Sequence, residues 1–377
     1  MLTPRENMLR VFRHEEPEWV PLTTVCDSYT RPIHMPESFF QDFDGIGATW
    51  ALARYLDIDY WDRCNAYTVS YRNVEYTTTA DGDSTTERWE TPYGIITARS
   101  QEVHFATAVP GEPQLKTSFP AEYPIKSVHD YRAFAHIIEN MVYEFRPEVP
   151  AQRAKELGEL GVVVATAPSS PLGICVRSYT GVQHLGMAYH DHPRELRDLL
   201  ERIADKYYEA YRGIALTAAD ATINYDDTTT LAISPRMFRD LEVPFLNKAA
   251  DIMHAKGKFF IHHACGHVFH ILEDIRSTHI DVLDGPYAPP LGDTTVAQAR
   301  QGLGTNIVIT PPIDDETMQS NDPDAIRGYV RGMFEQAGDR RNLIIDLVPT
   351  TAGPVASLWI AVDEAKRLSH RAPTRWH

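Results

Sequence analysis

The chain of 377 residues predicts an α/β protein, a (β/α)8 TIM barrel with an N-terminal antiparallel β-hairpin insertion. Three observations predict it. From about residue 125 onward, short apolar strands alternate with helical segments, the pattern of a parallel sheet. The strands end in polar side chains: Thr166, Asp226 and Asp227, His263, Asp284, Thr310 and Asp346. Side chains of that kind at the C-terminal tips of many strands are the habit of the eightfold barrel. No Gly-rich phosphate loop follows the first strand, as an open doubly wound sheet would carry. The segment "GLGTN" at 302–306 precedes a strand, which is the wrong side.

The elements follow in order. "TPRENMLRVFR" reads as a capped helix, with Thr3 as N-cap and Pro4 in its first position. "WVPLTTV" reads as a buried strand. Residues 66–110 are rich in Thr, Tyr and Val, alternate polar with apolar, and turn at "DGD" and "PYG", which predicts antiparallel hairpins. "SVHDYRAFAHIIENMVYEF" (127–145) is expected to be helical. "GVVVAT" (161–166) is a strand, residues 192–219 a long helix and "ATINY" (221–225) a strand. "PRMFRDLEV" is a short helix that Pro244 should end, and "PFLNKAADIMHAKG" a second helix that stops at Gly257. "FFIHH" (259–263), "IDVLD" (280–284), "NIVIT" (306–310) and "NLIID" (342–346) complete the strands. Residues 1–377 are expected to form a single barrel domain.

Composition narrows the class. The formal net charge is −16 and no Lys/Arg-rich run occurs, which argues against nucleic acid or an anionic membrane as partner. No stretch approaches 18 apolar residues, so no transmembrane helix is expected. The charged opening "MLTPRENMLRVF" has no apolar signal core. Cys26, Cys64, Cys175 and Cys265 are scattered and form no CxxC pair. They read as reduced thiols of a cytoplasmic protein.

Chemistry concentrates in "KFFIHHACGH" (258–267) and the unit before it. A connecting helix in a barrel starts near the top face, so Glu242 should lie near the mouth with the strand-end residues Asp227 and His263. The spacing is Asp227, fourteen residues, Glu242, twenty residues, His263. A carboxylate, carboxylate, imidazole set suits a catalytic zinc with an open position. The ordinary reading stands beside it: a loop-capping Asp227, a solvated Glu242 and a satisfied core His263. Cys265 offers a further ligand, since His263-x-Cys265 could grip zinc through N and S. His262 should face away from His263 because side chains alternate along a strand, and Asp226 has the same facing. His267 reads as a surface loop residue.

Taken in order, these segments resemble the uroporphyrinogen decarboxylase-like superfamily, and within it the corrinoid-dependent methyltransferases. The resemblance rests on "LTPRENMLRVFRHEEPEWVP", "ETPYGIITA", "EYPIKSVHDYRAF", "SPLGICVRSYTGVQHLGMAYHDHPRELRDLLERI" and above all "DDTTTLAISPRMFRDLEVPFLNKAADIMHAKGKFFIHHACGH". True decarboxylases carry an arginine-rich "RQAGRY" stretch after the first strand. Here "TTVCDSYTRPIHMPE" stands there with a lone Arg31, so porphyrinogen decarboxylation is not expected. Thiol-methylating members share His263-x-Cys265 but need a zinc-bound cysteine near the last strand, where this chain reads "LIIDLVPTTAGP".

The branch that begins O-demethylation of phenyl methyl ethers uses zinc on Glu, fourteen residues, Glu, twenty residues, His. The chain matches with Asp227 in place of the first Glu. The resemblance therefore implies a zinc-dependent transfer of methyl from an aryl methyl ether to cob(I)alamin. The chain has no Asp-x-His-x-x-Gly run, so the corrinoid should arrive on a partner protein. Asp284 and Asp346 are expected to assist, either by supporting the residues of the site or in proton transfer to the departing phenol. Tyr29, Tyr179 and Tyr287 are candidates for an aromatic pocket, and base rates favour a homodimer. Other methyl partners (a thiol, an amine or a folate) and a non-catalytic relative are the alternatives.

Overall fold

Thr3 caps the first helix, Pro4–Phe12, its hydroxyl accepting from Glu6 N. Met8, Val11 and Phe12 of this helix are wholly buried and close one end of a ring of parallel strands, against Trp61, Val162, Ile223 and Ile261. The protein is described by a computed structural model over residues 2–24, 45–105, 115–226, 228–347 and 354–369.

The strands in chain order are β1 Leu22–Thr23, β2 Tyr60–Cys64, β3 Tyr67–Tyr71, β4 Glu75–Asp81, β5 Ser84–Thr91, β6 Gly94–Phe105, β7 Leu115–Glu122, β8 Met141–Phe145, β9 Gly161–Thr166, β10 Ala221–Asp226, β11 Phe259–Ala264, β12 Val282–Asp284, β13 Val308–Thr310 and β14 Ile345–Asp346. A curled six-stranded parallel sheet runs β13-β12-β11-β10-β9-β2. β1 and β14 make a parallel pair. Bridges Ile309–Leu343 and Pro312–Asp346 link that pair to β13, and Asp59 N donates to Leu22 O at 3.0 Å beside β2. The arrangement is TIM-barrel-like.

The pleat sorts side chains into two cores. Ala221, Ile223, Ile261, Val282 and Val308 fill the interior with the first helix. Ala165, Phe260, Ala264, Leu283 and Ile309 pack outward under the surrounding helices. This two-residue period decides which strand-end groups meet.

Two local readings are corrected. Residues 127–145 are not one helix: Tyr131–Glu139 is helical, and Met141–Phe145 is β8, antiparallel to β3. The β-branched and aromatic "MVYEF" finds a strand partner in "YTVSY", and that tertiary pairing overrides the helical period. Pro244 does not end a helix. Pro235–Met237 runs through a π-turn, Phe238–Glu242, into Val243–His254. The wider turn accommodates the N–H that Pro244 lacks.

A four-stranded antiparallel sheet, β4-β5-β6-β7, spans 75–122, later than the expected 66–110, while β3 leaves it to pair with β8. Among the described residues no helix is long and apolar enough to cross a membrane.

Candidate functional site

The tips of β9 to β14 carry two constellations on opposite faces of the strand layer. The inner one centres on His263. Its Nδ1 is hydrogen-bonded to Asp284 Oδ2 at 2.8 Å, and Thr310 Oγ1 donates to Asp284 Oδ1. Burial works against a charged His263, but its bonds to Asp284 and Cys265 hold the imidazole up at about 10. Burial likewise opposes the Asp284 carboxylate, yet His263, then Arg63 and Thr310, keep it below its ordinary value. The Tyr225 ring sits 5.3 Å from the His263 ring, and the Arg63 guanidinium lies 5.6 Å from Tyr225. Asp346 is two residues beyond inward-facing Ile344, so the pleat gives it the same face.

The outer constellation is Asp226, Glu242 and His262, all essentially without solvent exposure. One ligand atom from each lies within 4.8 Å of the others. Its hydrogen bonds can be assigned in sequence. Asn224 Nδ2 donates to Asp226 Oδ2 at 2.6 Å. Asn224 Oδ1 therefore faces His262 Nδ1, 3.0 Å away, and Nδ1 must be the donor. His262 Nε2 is left as a lone-pair acceptor. Ser170 N donates to Asp226 Oδ1 and Ser170 Oγ to Glu242 Oε2 at 2.8 Å.

Glu242 Oε1 and His262 Nε2 remain buried with no hydrogen-bond partner among the described residues. Burial, then the charge of Asp226, raises Glu242 well above the usual carboxylate range, and burial drops His262 to about 3. Two carboxylates and a neutral imidazole in a dry site need a shared proton or a cation.

The zinc implied by the resemblance can be tested on these atoms. Zinc binds N and O ligands at roughly 2.0–2.2 Å, which sets paired ligand atoms about 3.3 Å apart. A trio with one ligand atom from each residue within 4.8 Å of the others, in which Glu242 Oε1 and His262 Nε2 also lack partners among the described residues, fits such an ion. Asn224 and Ser170 supply the hydrogen bonds that commonly orient metal ligands.

Of the residues singled out in the sequence, Glu242 joins this trio. Asp227 lies outside the described residues. His263 is not in the trio; it faces the barrel interior with Asp284. Cys265, half-exposed, interacts with His263. The trio uses the neighbours Asp226 and His262, one residue earlier at both strand ends. The cause is register: Asn224 pairs with His262 and Tyr225 with His263, so adjacent pairs point to opposite faces.

Beside the tips of β9 and β10 a cavity of about 450 Å3 opens under the β3–β8 pair, with Tyr67, Tyr143, Tyr207, Tyr225 and Arg177 in its wall. Tyr179 is not in this wall; its hydroxyl pairs with that of Tyr207 at 2.6 Å, and its ring packs on Phe134. Tyr287 packs near Gly285 and Gly292, away from this cavity. Tyr29, Arg31 and Cys26 lie outside the described residues. The missed wall residue Tyr67 had a signal, the alternation of "YTVSY"; Tyr143 was hidden by the helical reading of its segment.

The profile of the uroporphyrinogen decarboxylase (URO-D) family matches residues 152–348, more than half of the chain. The chain belongs to this family. That stretch holds Ser170, Arg177, β9 to β13 and both constellations. No curated protein matches the chain in sequence. Among solved structures, a methyltransferase from Methanosarcina mazei superposes with a TM-score of 0.62 at 13% identity, over 98% of this chain and 99% of that one. The two share a fold. A B12-independent methionine synthase from Shewanella sp. W3-18-1 covers 93% of this chain and 98% of its own at 9% identity, with a TM-score of 0.49.

Proposed function

We propose that this protein moves a methyl group from an aryl methyl ether to the cob(I)alamin of a separate corrinoid protein, using zinc held by Asp226, Glu242 and His262. One observation carries the reading: a carboxylate–carboxylate–imidazole set, the donor chemistry that the resemblance implies, lies buried with ligand atoms unpartnered. The likeness in fold to a methyltransferase supports methyl transfer in general. Phenolate is a poor leaving group, with a pKa of about 10 judged from tyrosine. Bound zinc supplies a Lewis acid that stabilises negative charge on the ether oxygen, an effect of several kcal/mol.

The chain's own residues do the rest. Ser170 fixes Glu242 through Oε2, and Asn224 fixes the tautomer of His262. On the inner face Asp284 orients His263 through Nδ1. The cavity under β3–β8 holds the arene, and Tyr225 spans both regions, lining that cavity and touching His263.

A second reading has its own observation. His263 is already oriented by a carboxylate through Nδ1, as metal-bound histidines commonly are, and Cys265 is within its reach. A metal on His263 and Cys265 is softer and suits a thiol partner.

Zinc content decides between them. The first reading expects about one zinc per chain in wild type, lost in Glu242→Ala and His262→Ala and kept in Cys265→Ala. Loss in Cys265→Ala with retention in Glu242→Ala establishes the second. On the first reading, wild type with zinc should demethylate aryl methyl ethers when given a reduced corrinoid protein. No metal in any variant, with no transfer, sinks both.

A further inference from the structure

The cavity beside the strand tips has an uneven chemistry that methyl transfer alone does not require. Its wall combines tyrosine rings (Tyr67, Tyr143, Tyr207, Tyr225) with apolar side chains such as Met141 and Ile174. Arg177 is the one charged residue among the described residues that line it. A chain with a net charge of −16 has placed a lone cation, and no carboxylate, in this wall. A volume of about 450 Å3 suits a single substituted ring and falls in the usual range for small-ligand sites.

Arg177 is held from behind. Its Nη1 donates to Tyr225 O at 3.1 Å and its Nη2 to Ser169 Oγ at 2.8 Å. Ser169 Oγ in turn donates to Tyr225 O at 2.6 Å. These bonds are to neutral oxygens, and no carboxylate among the described residues is paired with the guanidinium. A planar fork with N–H groups to spare is the arrangement that recognises a carboxylate.

We propose that the cavity selects an aromatic ring bearing a carboxylate, read by Arg177. The methyl ether on that ring rests on the function proposed above; the anion and the ring rest on the cavity alone. Arg177 is then a specificity residue that touches substrate and takes no part in breaking the C–O bond.

The test is calorimetric titration of the full chain with 4-methoxybenzoate, 4-methoxybenzamide, benzoate and cyclohexanecarboxylate. The acid should bind at least about tenfold more tightly than the isosteric amide, as a charge-assisted pair predicts. Benzoate should keep most of that affinity, and cyclohexanecarboxylate should lose it. Arg177→Met should bring acid and amide within about twofold of each other, and Arg177→Lys should restore part of the gap.

Equal binding of acid and amide by wild type overturns the proposal, and that comparison needs no variant to fold. Retention of the preference in a folded Arg177→Met does so too. The two layers separate cleanly. Acid preference without methyl transfer to a reduced corrinoid protein leaves the proposal standing and removes the methyl-transfer reading. Equal transfer from the amide and the acid does the reverse.

Discussion

His263 Nδ1 meets Asp284 Oδ2 at 2.8 Å across adjacent parallel strands, one residue away from a histidine that faces the opposite core. The pair ties β11 to β12 at the barrel mouth. It leaves the other ring nitrogen of His263 available for a proton, Cys265 or a metal.

Asp284→Asn should lower the imidazole of His263 from about 10 toward the ordinary 6.5, because burial then acts without its opposing carboxylate. The readout is histidine NMR titration of metal-free protein. An unmoved His263 resonance would show that Asp284 does not set its charge. If the metal sits on His263, the same variant should lose roughly 10–100-fold in zinc affinity.

Glu242 separates metal binding from stability. Without metal, burial and Asp226 push its carboxyl well above the usual carboxylate range, and Glu242→Gln keeps its shape without a negative charge. That variant should unfold within about 1 kcal/mol of metal-free wild type, while Glu242→Ala, which strands Ser170 and leaves a void, should cost about 2–4 kcal/mol. Both should fail to retain zinc. Urea melts of metal-free protein beside metal analysis report the two effects. A full zinc complement in Glu242→Gln would remove Glu242 from the ligand set.

Gly173 guards the trio. A Cβ there would stand 3.0 Å from Ser170 Oγ and closer still to Asp226 Oδ1. Gly173→Ala should displace Asp226, cost about 1–3 kcal/mol through overpacking and weaken metal retention. Gly186, whose Cβ would meet nothing, is the control: Gly186→Ala should keep both stability and metal. Unchanged zinc content in Gly173→Ala would show that Asp226 is not a ligand.

The C-terminal helix sets a pH dependence of stability. Glu364, in Val355–Leu368, bonds Arg367, Arg331 and Arg327, the last two on the helix Pro323–Ala337. Arg367 chiefly, against burial and with Arg331 and Arg327, lowers Glu364 from 4.5 to about 2. A depressed carboxylate contributes stability above its unfolded value that is lost as pH falls from about 4.5 to about 2. Wild type should exceed Glu364→Gln by about 1–2 kcal/mol at pH 7, allowing for screening of the partly exposed arginines. The gap should close by about pH 2, as urea midpoints at the two pH values would show. A gap that persists at acid pH would mean that packing, not charge, is responsible.

Local information in the chain decided a good deal. Thr3 and Ser234 cap their helices because a hydroxyl before a proline at the first position satisfies free N–H groups wherever the helix goes. The short apolar runs became β9 to β13 because their two-residue and continuous patterns need burial on both faces. The same period placed His262 and His263 on opposite sides before any contact was known. Composition and motif order pointed to the family, and the barrel-like ring followed from strand–helix alternation.

What the tertiary structure alone decided depends on groups far apart in the chain. Glu242 could join Asp226 and His262 or His263; the π-turn over Phe238–Glu242 set its direction, and no local period announces a π-turn. Met141–Phe145 became a strand because β3, seventy residues away in register, supplied the partner. The cavity brings Tyr67, Tyr143, Arg177 and Tyr225 together through that pairing and the closure of β9 on β10. Side-chain alternation is a property of a few consecutive residues and can be read from them. Which face meets which neighbour depends on long-range packing, and there the chain order carries no metric.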